Sequence, residues 1–133
     1  MKAVVVDSST LIVAIGEKGA SADELANRLA ALECHAPHLV DAEVGNVLRR
    51  RLLSGAISAE TAETGVRIME SVVDERYPHA GPLAQAAWRL RGAVSFYDAL
   101  YVALAARLGV PLLTADARLS RAPSLPCKVE VVA

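Results

Sequence analysis

Four acidic residues stand where a solvated surface does not account for them. Asp7 directly follows the β-branched run Val4-Val5-Val6, so its carboxylate emerges at the carboxyl end of a strand buried on both faces. Asp116 follows Leu112-Leu113-Thr114-Ala115 and emerges at the same end of another strand. Asp98 opens a helix whose next eight residues, Ala99 to Ala106, are all apolar. A helix buried nearly all round begins inside the protein rather than in bulk water. Glu43 lies three residues after Val40 and four before Val47, and so shares their inward flank.

Carboxylates gathered within a few ångströms repel one another, and in a close pair one pKa is already pushed up. A divalent cation removes that repulsion, and hard oxygen donors suit Mg²⁺ or Mn²⁺. Such an ion lowers the pKa of bound water and polarises a phosphoryl oxygen, which suggests metal-assisted hydrolysis of phosphodiesters. Each acid also has a plain role. Asp7 and Asp116 are suited to cap helices, Asp98 completes a Ser95-x-x-Asp98 capping box, and Glu43 is within helical reach of Arg50. Convergence is favoured because three of the four begin helices and two end strands, so the topology aims them at one crevice.

The elements that must position these acids alternate along the chain. Residues 3–6 read as a strand, and Ser8 to Ile15 as a short helix closing near Gly16. Ser21 and Glu24 form a capping box ahead of Leu25, Leu29 and Leu32, and a brief strand follows at Cys34 to Ala36. Helices are predicted over Leu39 to Leu53 and from Ser58, with Ala62, Val66, Met69 and Val73 facing inward. A short strand at Asp74 to Tyr77 precedes a helix from Pro82 to Gly92, and Ser95 opens the most apolar helix, which ends at Gly109. Pro111 to Thr114 is a strand, Asp116 to Arg121 a helical turn, and Val129 to Val132 a last strand. Short strands separated by helices imply right-handed crossovers and a parallel sheet covered on both sides, with the functional crevice beyond the strands' carboxyl ends.

At 133 residues the chain is expected to be a single domain, 1–133. Its longest apolar run, eight residues, is far short of the ~18–20 that a membrane span needs. Asp7 interrupts the N-terminus too early for a secretory signal, so a soluble, cytoplasmic protein is expected. Cys34 and Cys127 read as free thiols. A net charge of −1 argues against a generally basic nucleic-acid module, although eleven of the 14 basic residues are arginine, whose planar fork suits phosphate.

Taken together, Asp7-Ser8-Ser9 after the first strand, Glu43-x-x-Asn46, the segment Tyr97-Asp98-Ala99-Leu100-Tyr101-Val102-Ala103-Leu104-Ala105, and Thr114-Ala115-Asp116-x-Arg118-Leu119 resemble PIN-domain ribonucleases. The chain's length is similar to that of the VapC toxins of bacterial toxin–antitoxin pairs. The resemblance implies a three-layer α/β/α fold around a parallel five-stranded sheet. It also implies Mg²⁺- or Mn²⁺-dependent endonuclease action on structured RNA by metal-activated water, leaving a 5′-phosphate and a 3′-hydroxyl. A homodimer and a cognate VapB antitoxin are implied as well. Carried over by motif, Asp7 and Asp98 are primary metal ligands, and Asp116 and Glu43 complete the catalytic set. Ser9, Asn46 and Thr114 would orient carboxylates or water, although turn and capping chemistry accounts for them nearly as well. The antitoxin is expected in a groove of the N-terminal helices, on faces bearing Leu11, Ile15, Leu52 and Met69.

Other features carry less. His35, His38 and His79 fit no closed metal site and are expected in surface loops. Arg49-Arg50-Arg51 suits the end of a helix, and Arg89, Arg91, Arg118 and Arg121 could line an approach path for RNA. Trp88 is expected in the core or at a dimer contact. A phosphatase would want an acid where Ser9 stands, and a receiver domain would want paired acids and a late-strand lysine. The rival from another class is a PIN-like module that binds RNA or a partner without cutting.

Overall fold

The computed structural model describes residues 2–16 and 18–132, so residues 1 and 133, the two ends of the expected domain, lie outside it. Along the chain run β1 (Ala3–Val6), α1 (Ser8–Gly16), α2 (Ala20–Ala30), β2 (Glu33–Pro37), α3 (Leu39–Leu53), α4 (Ala59–Val72), β3 (Glu75–Tyr77), α5 (Pro82–Trp88), α6 (Phe96–Leu108), β4 (Leu112–Thr114), α7 (Ala117–Ser120) and β5 (Val129–Val131). The strands form one parallel sheet in the order β3-β2-β1-β4-β5. Helices α1 to α4 pack together, while α5 packs on α6, which lies across β1, β2 and β4. No helix among the described residues is long and apolar enough to cross a membrane.

The central strand explains the unbroken valine run. β1 pairs on one side with β2 and on the other with β4, so Val4, Val5 and Val6 are buried from both faces. From β1 the chain moves outward through β2 and β3, then returns to the opposite side for β4 and β5. The strand order therefore reverses between β1 and β4, and a crevice opens beyond their carboxyl ends. Register places Val5 beside Leu112 and Val6 beside Leu113, which leaves Asp7 level with Thr114.

The helix α6 is buried from Ala99 through Ala105, capped at its start by Ser95 Oγ on the Asp98 N–H (3.1 Å) and stopped by Gly109 at φ 68°. On the other side of the sheet α3 and α4 meet at Gly65. A Cβ there would come within 3.0 Å of Leu48 Cδ1, so only glycine allows this approach without displacing Leu48.

Several local expectations need correction. Helix α2 starts after Gly19 with no side-chain cap, so Ser21 sits inside its first turn and the Ser21–Glu24 box does not form. In α4 the inward positions are Ala62, Gly65 and Met69, and Val66 is turned out to solvent. Helix α5 stops at Trp88, and tight turns rather than helix continue through Gly92 to Val94. His35 is not a loop residue. It lies buried in β2, second from the sheet edge, with Nδ1 2.7 Å from the Tyr77 hydroxyl and Nε2 2.6 Å from Glu33. Leu11 and Met69 are core residues, since α1 and α4 turn those faces inward, whereas Trp88 is 59% exposed. Both cysteines are free.

Candidate active site

Asp7 is the fixed point of the crevice. It is only 6% exposed, yet both carboxylate oxygens are occupied. Oδ1 accepts hydrogen bonds from Ser9 Oγ (2.7 Å) and the Thr10 N–H (3.0 Å), and Oδ2 accepts one from Thr114 Oγ1 (2.5 Å). The Thr10 bond is an ordinary N-cap of α1, so the helix start and the site acid are one residue serving both roles. Ser9 Oγ in turn accepts from the Ala115 N–H (2.9 Å), and Thr114 Oγ1 from the Asp116 N–H (3.1 Å). The two hydroxyls thus tie the end of β1 to the β4–α7 turn.

Asp116 sits at the far side of that turn as the N-cap of α7, accepting from the Arg118 N–H (2.9 Å). The Arg118 side chain closes back on it, Nε 3.2 Å from Oδ1 and Nη2 3.0 Å from Oδ2. The arginine's hydrogen bonds hold this carboxyl below the usual range. Arg118 itself is largely in solvent.

Glu43 reaches the crevice from α3, and Asp98 from the first turn of α6. Both are half-buried, and both are pushed above the usual carboxylate range, with burial as the leading cause. The negative charges of Asp98 and Asp7 add to the rise at Glu43, while hydrogen bonds from Tyr101 and Ser8 oppose it. At Asp98 the charges of Asp7 and Asp116 add, while Ser95 and Arg118 oppose. The Tyr101 hydroxyl donates to Glu43 Oε1, and burial with that bond pushes the phenol far above its ordinary value. Each acid is felt by at least one other, which only a shared edge allows.

The four acids share an edge without forming a closed cage. Among the described residues no three Asp, Glu, His or Cys side chains are close enough to hold an ion as they stand. Local donors keep the carboxylates apart: the hydroxyls on Asp7, Tyr101 on Glu43, Arg118 on Asp116. The donor set nevertheless fits a hard divalent ion by its chemistry. It is all carboxylate oxygen, and two members carry charge that their surroundings disfavour until a cation answers it. The amino ends of α1 and α6 point at the same crevice and supply part of that answer, on the order of 0.3–1 kcal/mol each.

Of the residues expected to orient the acids, Ser9 and Thr114 touch Asp7 directly. Asn46 is exposed, and among the described residues it makes no hydrogen bond to the acids. Sequence reasoning did not assign Tyr101, Thr10 or Ser8 to the site. The signal for Tyr101 was its position three residues after Asp98, on the same helical face; for Thr10 it was the Asp-x-x-Thr capping spacing.

Comparison with known proteins points to one family. A family model described as PIN domain matches residues 4–125. The chain is 49% identical over 132 residues to Ribonuclease VapC1 of Mycobacterium tuberculosis, covering 99% of each chain. It is 36% identical over 129 residues to Ribonuclease VapC9 of the same organism, covering 97% of this chain and 98% of that one. Among solved structures it is similar to VapBC2 from Rickettsia felis, with a TM-score of 0.69 at 16% identity, over 97% and 98% of the two chains.

Proposed function

The chain belongs to the PIN domain family, and from that premise we propose that it is a VapC-type toxin, an endoribonuclease that depends on Mg²⁺ or Mn²⁺. One observation carries the reading. Acids from four separate elements lie along one edge at the sheet's switch point, and the charge of Asp7 adds to the rise at both Glu43 and Asp98. The relatives named ribonucleases, matched along nearly the whole chain, support RNA as the substrate.

Asp7, Asp98, Glu43 and Asp116 would hold the ion. A bound divalent ion supplies Lewis-acid polarisation of the scissile phosphate and acidifies water. The remaining work belongs to the chain. Ser9 and Thr114 lock the Asp7 carboxylate, so its direction is set before any substrate arrives. Tyr101, at Oε1, and Ser8 orient the Glu43 carboxylate, which would take the proton of the attacking water. A carboxyl raised by burial is a better proton acceptor than an ordinary one. The water oxygen bonds to phosphorus as the bond to the 3′-oxygen breaks, leaving a 5′-phosphate and a 3′-hydroxyl.

A nuclease of this kind needs restraint, and a VapB-type antitoxin is the proposed partner, with the toxin as a homodimer. A groove of about 490 Å³ between α1, α2 and α4 supports that partner. Ile15, Leu29, Ile68 and Val72 line it, with Asp23 and Asp74 at its walls. It suits an amphipathic segment with an apolar face and basic flanks.

The test is incubation with end-labelled RNA plus Mg²⁺ or Mn²⁺, with and without chelator. Cleavage that needs the metal and disappears in Asp98→Asn, with the circular dichroism spectrum preserved, is expected. RNA binding that is the same with and without chelator, and that yields no products even with metal present, would favour the PIN-like module that binds without cleaving.

A further inference from the structure

Three of the chain's five aromatic residues are exposed, and two of them directly precede Asp98. Trp88 is 59%, Phe96 40% and Tyr97 61% exposed, while Tyr101 is the one aromatic fully buried in an otherwise mainly aliphatic core. Phe96 and Tyr97 stand in the first turn of α6 together with Asp98. The Trp88 and Phe96 rings meet edge to face, centroids 6.4 Å apart at 64°. Between them lies a shallow depression of about 540 Å³ lined by Ala84, Gln85, Trp88, Arg89 and Phe96. Arg91 reaches over Trp88, its guanidinium 5.1 Å from the ring centroid and Nη1 2.9 Å from the Trp88 carbonyl.

Exposed rings of this size cost solvation free energy and call for an occupant. We propose that this depression is a nucleobase subsite, which receives an unpaired base of the RNA next to the scissile phosphate. The inference rests on the ribonuclease reading above. Single-stranded nucleic acid is held by aromatic faces for the bases and cations for the phosphates, and this patch offers both. Gln85 adds an amide suited to a base edge. A second copy of the chain is the competing occupant, and charge speaks against it. No carboxylate lines the depression, and Arg89 on its wall with Arg91 over Trp88 gives it a positive character that the identical patch of a second copy does not complement. Phosphates carry the complementary charge.

Trp88 is the only tryptophan, so its fluorescence reports on the subsite without labelling. The protein is titrated in chelator, which prevents cleavage, with an RNA hairpin bearing a single-stranded loop and with a blunt RNA duplex. The hairpin should quench Trp88 and the duplex should not. Trp88→Ala should weaken hairpin binding about fivefold or more, Trp88→Phe should recover much of it, and duplex binding should not change. Hairpin binding that is equal in wild type and Trp88→Ala overturns the subsite and leaves the nuclease intact. Absence of hairpin binding overturns the subsite, and the nuclease reading is decided separately by metal-dependent cleavage. Loss of a sedimenting dimer in Trp88→Ala, with hairpin affinity unchanged, assigns the patch to a second copy instead.

Discussion

Replacing Thr114 with valine removes one buried hydroxyl while keeping the side chain's shape. That hydroxyl is fully buried, donates to Asp7 Oδ2 at 2.5 Å and accepts from the Asp116 N–H at 3.1 Å. A hydrogen bond to a charged group contributes about 1.5–3 kcal/mol, and valine leaves a buried carboxylate oxygen short of a donor. The Asp116 amide lies nearer the surface and can turn to water, which adds roughly 0.5 kcal/mol or less. The sum is about 2–3 kcal/mol at neutral pH. For a domain of this size that is roughly 3–5 °C in Tm per kcal/mol, a fall of about 6–15 °C. Urea unfolding in chelator, followed by circular dichroism because Trp88 is exposed, measures the loss. Thr114→Ser should recover most of it. In a double-mutant cycle with Asp7→Asn, the two changes should couple by about 1.5 kcal/mol or more, because the second removes the charge that the first bond serves. Metal-dependent cleavage should fall about 10–100-fold, as expected when a group that orients a ligand is lost. A valine variant within about 0.5 kcal/mol of wild type, or an additive cycle, would refute the view that Thr114 holds Asp7.

The raised carboxyls of Glu43 and Asp98 give a pH dependence of defined sign. The folded chain binds their protons more tightly than the unfolded chain, so their contribution is fully present below the ordinary carboxylate range. It is lost as pH rises through the raised values. In chelator, Asp98→Asn should therefore be at least as stable as wild type at neutral pH, with the advantage shrinking toward pH 4; a clearly less stable variant at neutral pH contradicts the burial argument. Mn²⁺ should raise the melting temperature of wild type and not of Asp98→Asn. Arg118 occupies both oxygens of Asp116, so Arg118→Gln should let that carboxyl rise toward its ordinary value and should tighten Mn²⁺ binding by calorimetry. Unchanged or weaker binding would show that the pair does not compete with the ion.

The fold was legible because its signals are redundant. The unbroken Val4-Val5-Val6 run marks a central strand, Ser58 and Ser95 cap α4 and α6 as their spacing says, and Gly109 takes the left-handed conformation that stops α6. The failures lie where a local preference met a tertiary demand. Ser21 offers a good cap, yet α2 starts two residues earlier than that cap would set, after a glycine that can take φ 117°. Val66 matches the helical period, yet close packing on Leu48 selects Gly65 for the interface. His35, which fits no closed metal site, falls inside the strand that Cys34 to Ala36 mark rather than in a loop, and parallel pairing to β3 carries β2 through Pro37 itself.

At the site, Asp7, Asp98 and Asp116 could be read from sequence because each stands at an element end whose direction the topology fixes, and Glu43 because it shares the flank of α3 that carries Val40. Their partners were hidden for the opposite reason. Tyr101 meets Glu43 only when α6 and α3 are brought to the same edge of the sheet, and Thr114 meets Asp7 only through the register of β4 on β1, contacts separated by 58 and 107 positions. The choice between capping residue and site acid also dissolves on inspection of Asp7 and Asp116. Both cap a helix and both face the crevice, because in a parallel sheet the residue that ends a strand is the one that starts the next helix. Capping fixes the backbone, and the fixed backbone aims the carboxylate. Replacing either acid by asparagine should therefore keep much of the cap and remove the charge, which makes asparagine rather than alanine the substitution that separates chemistry from folding.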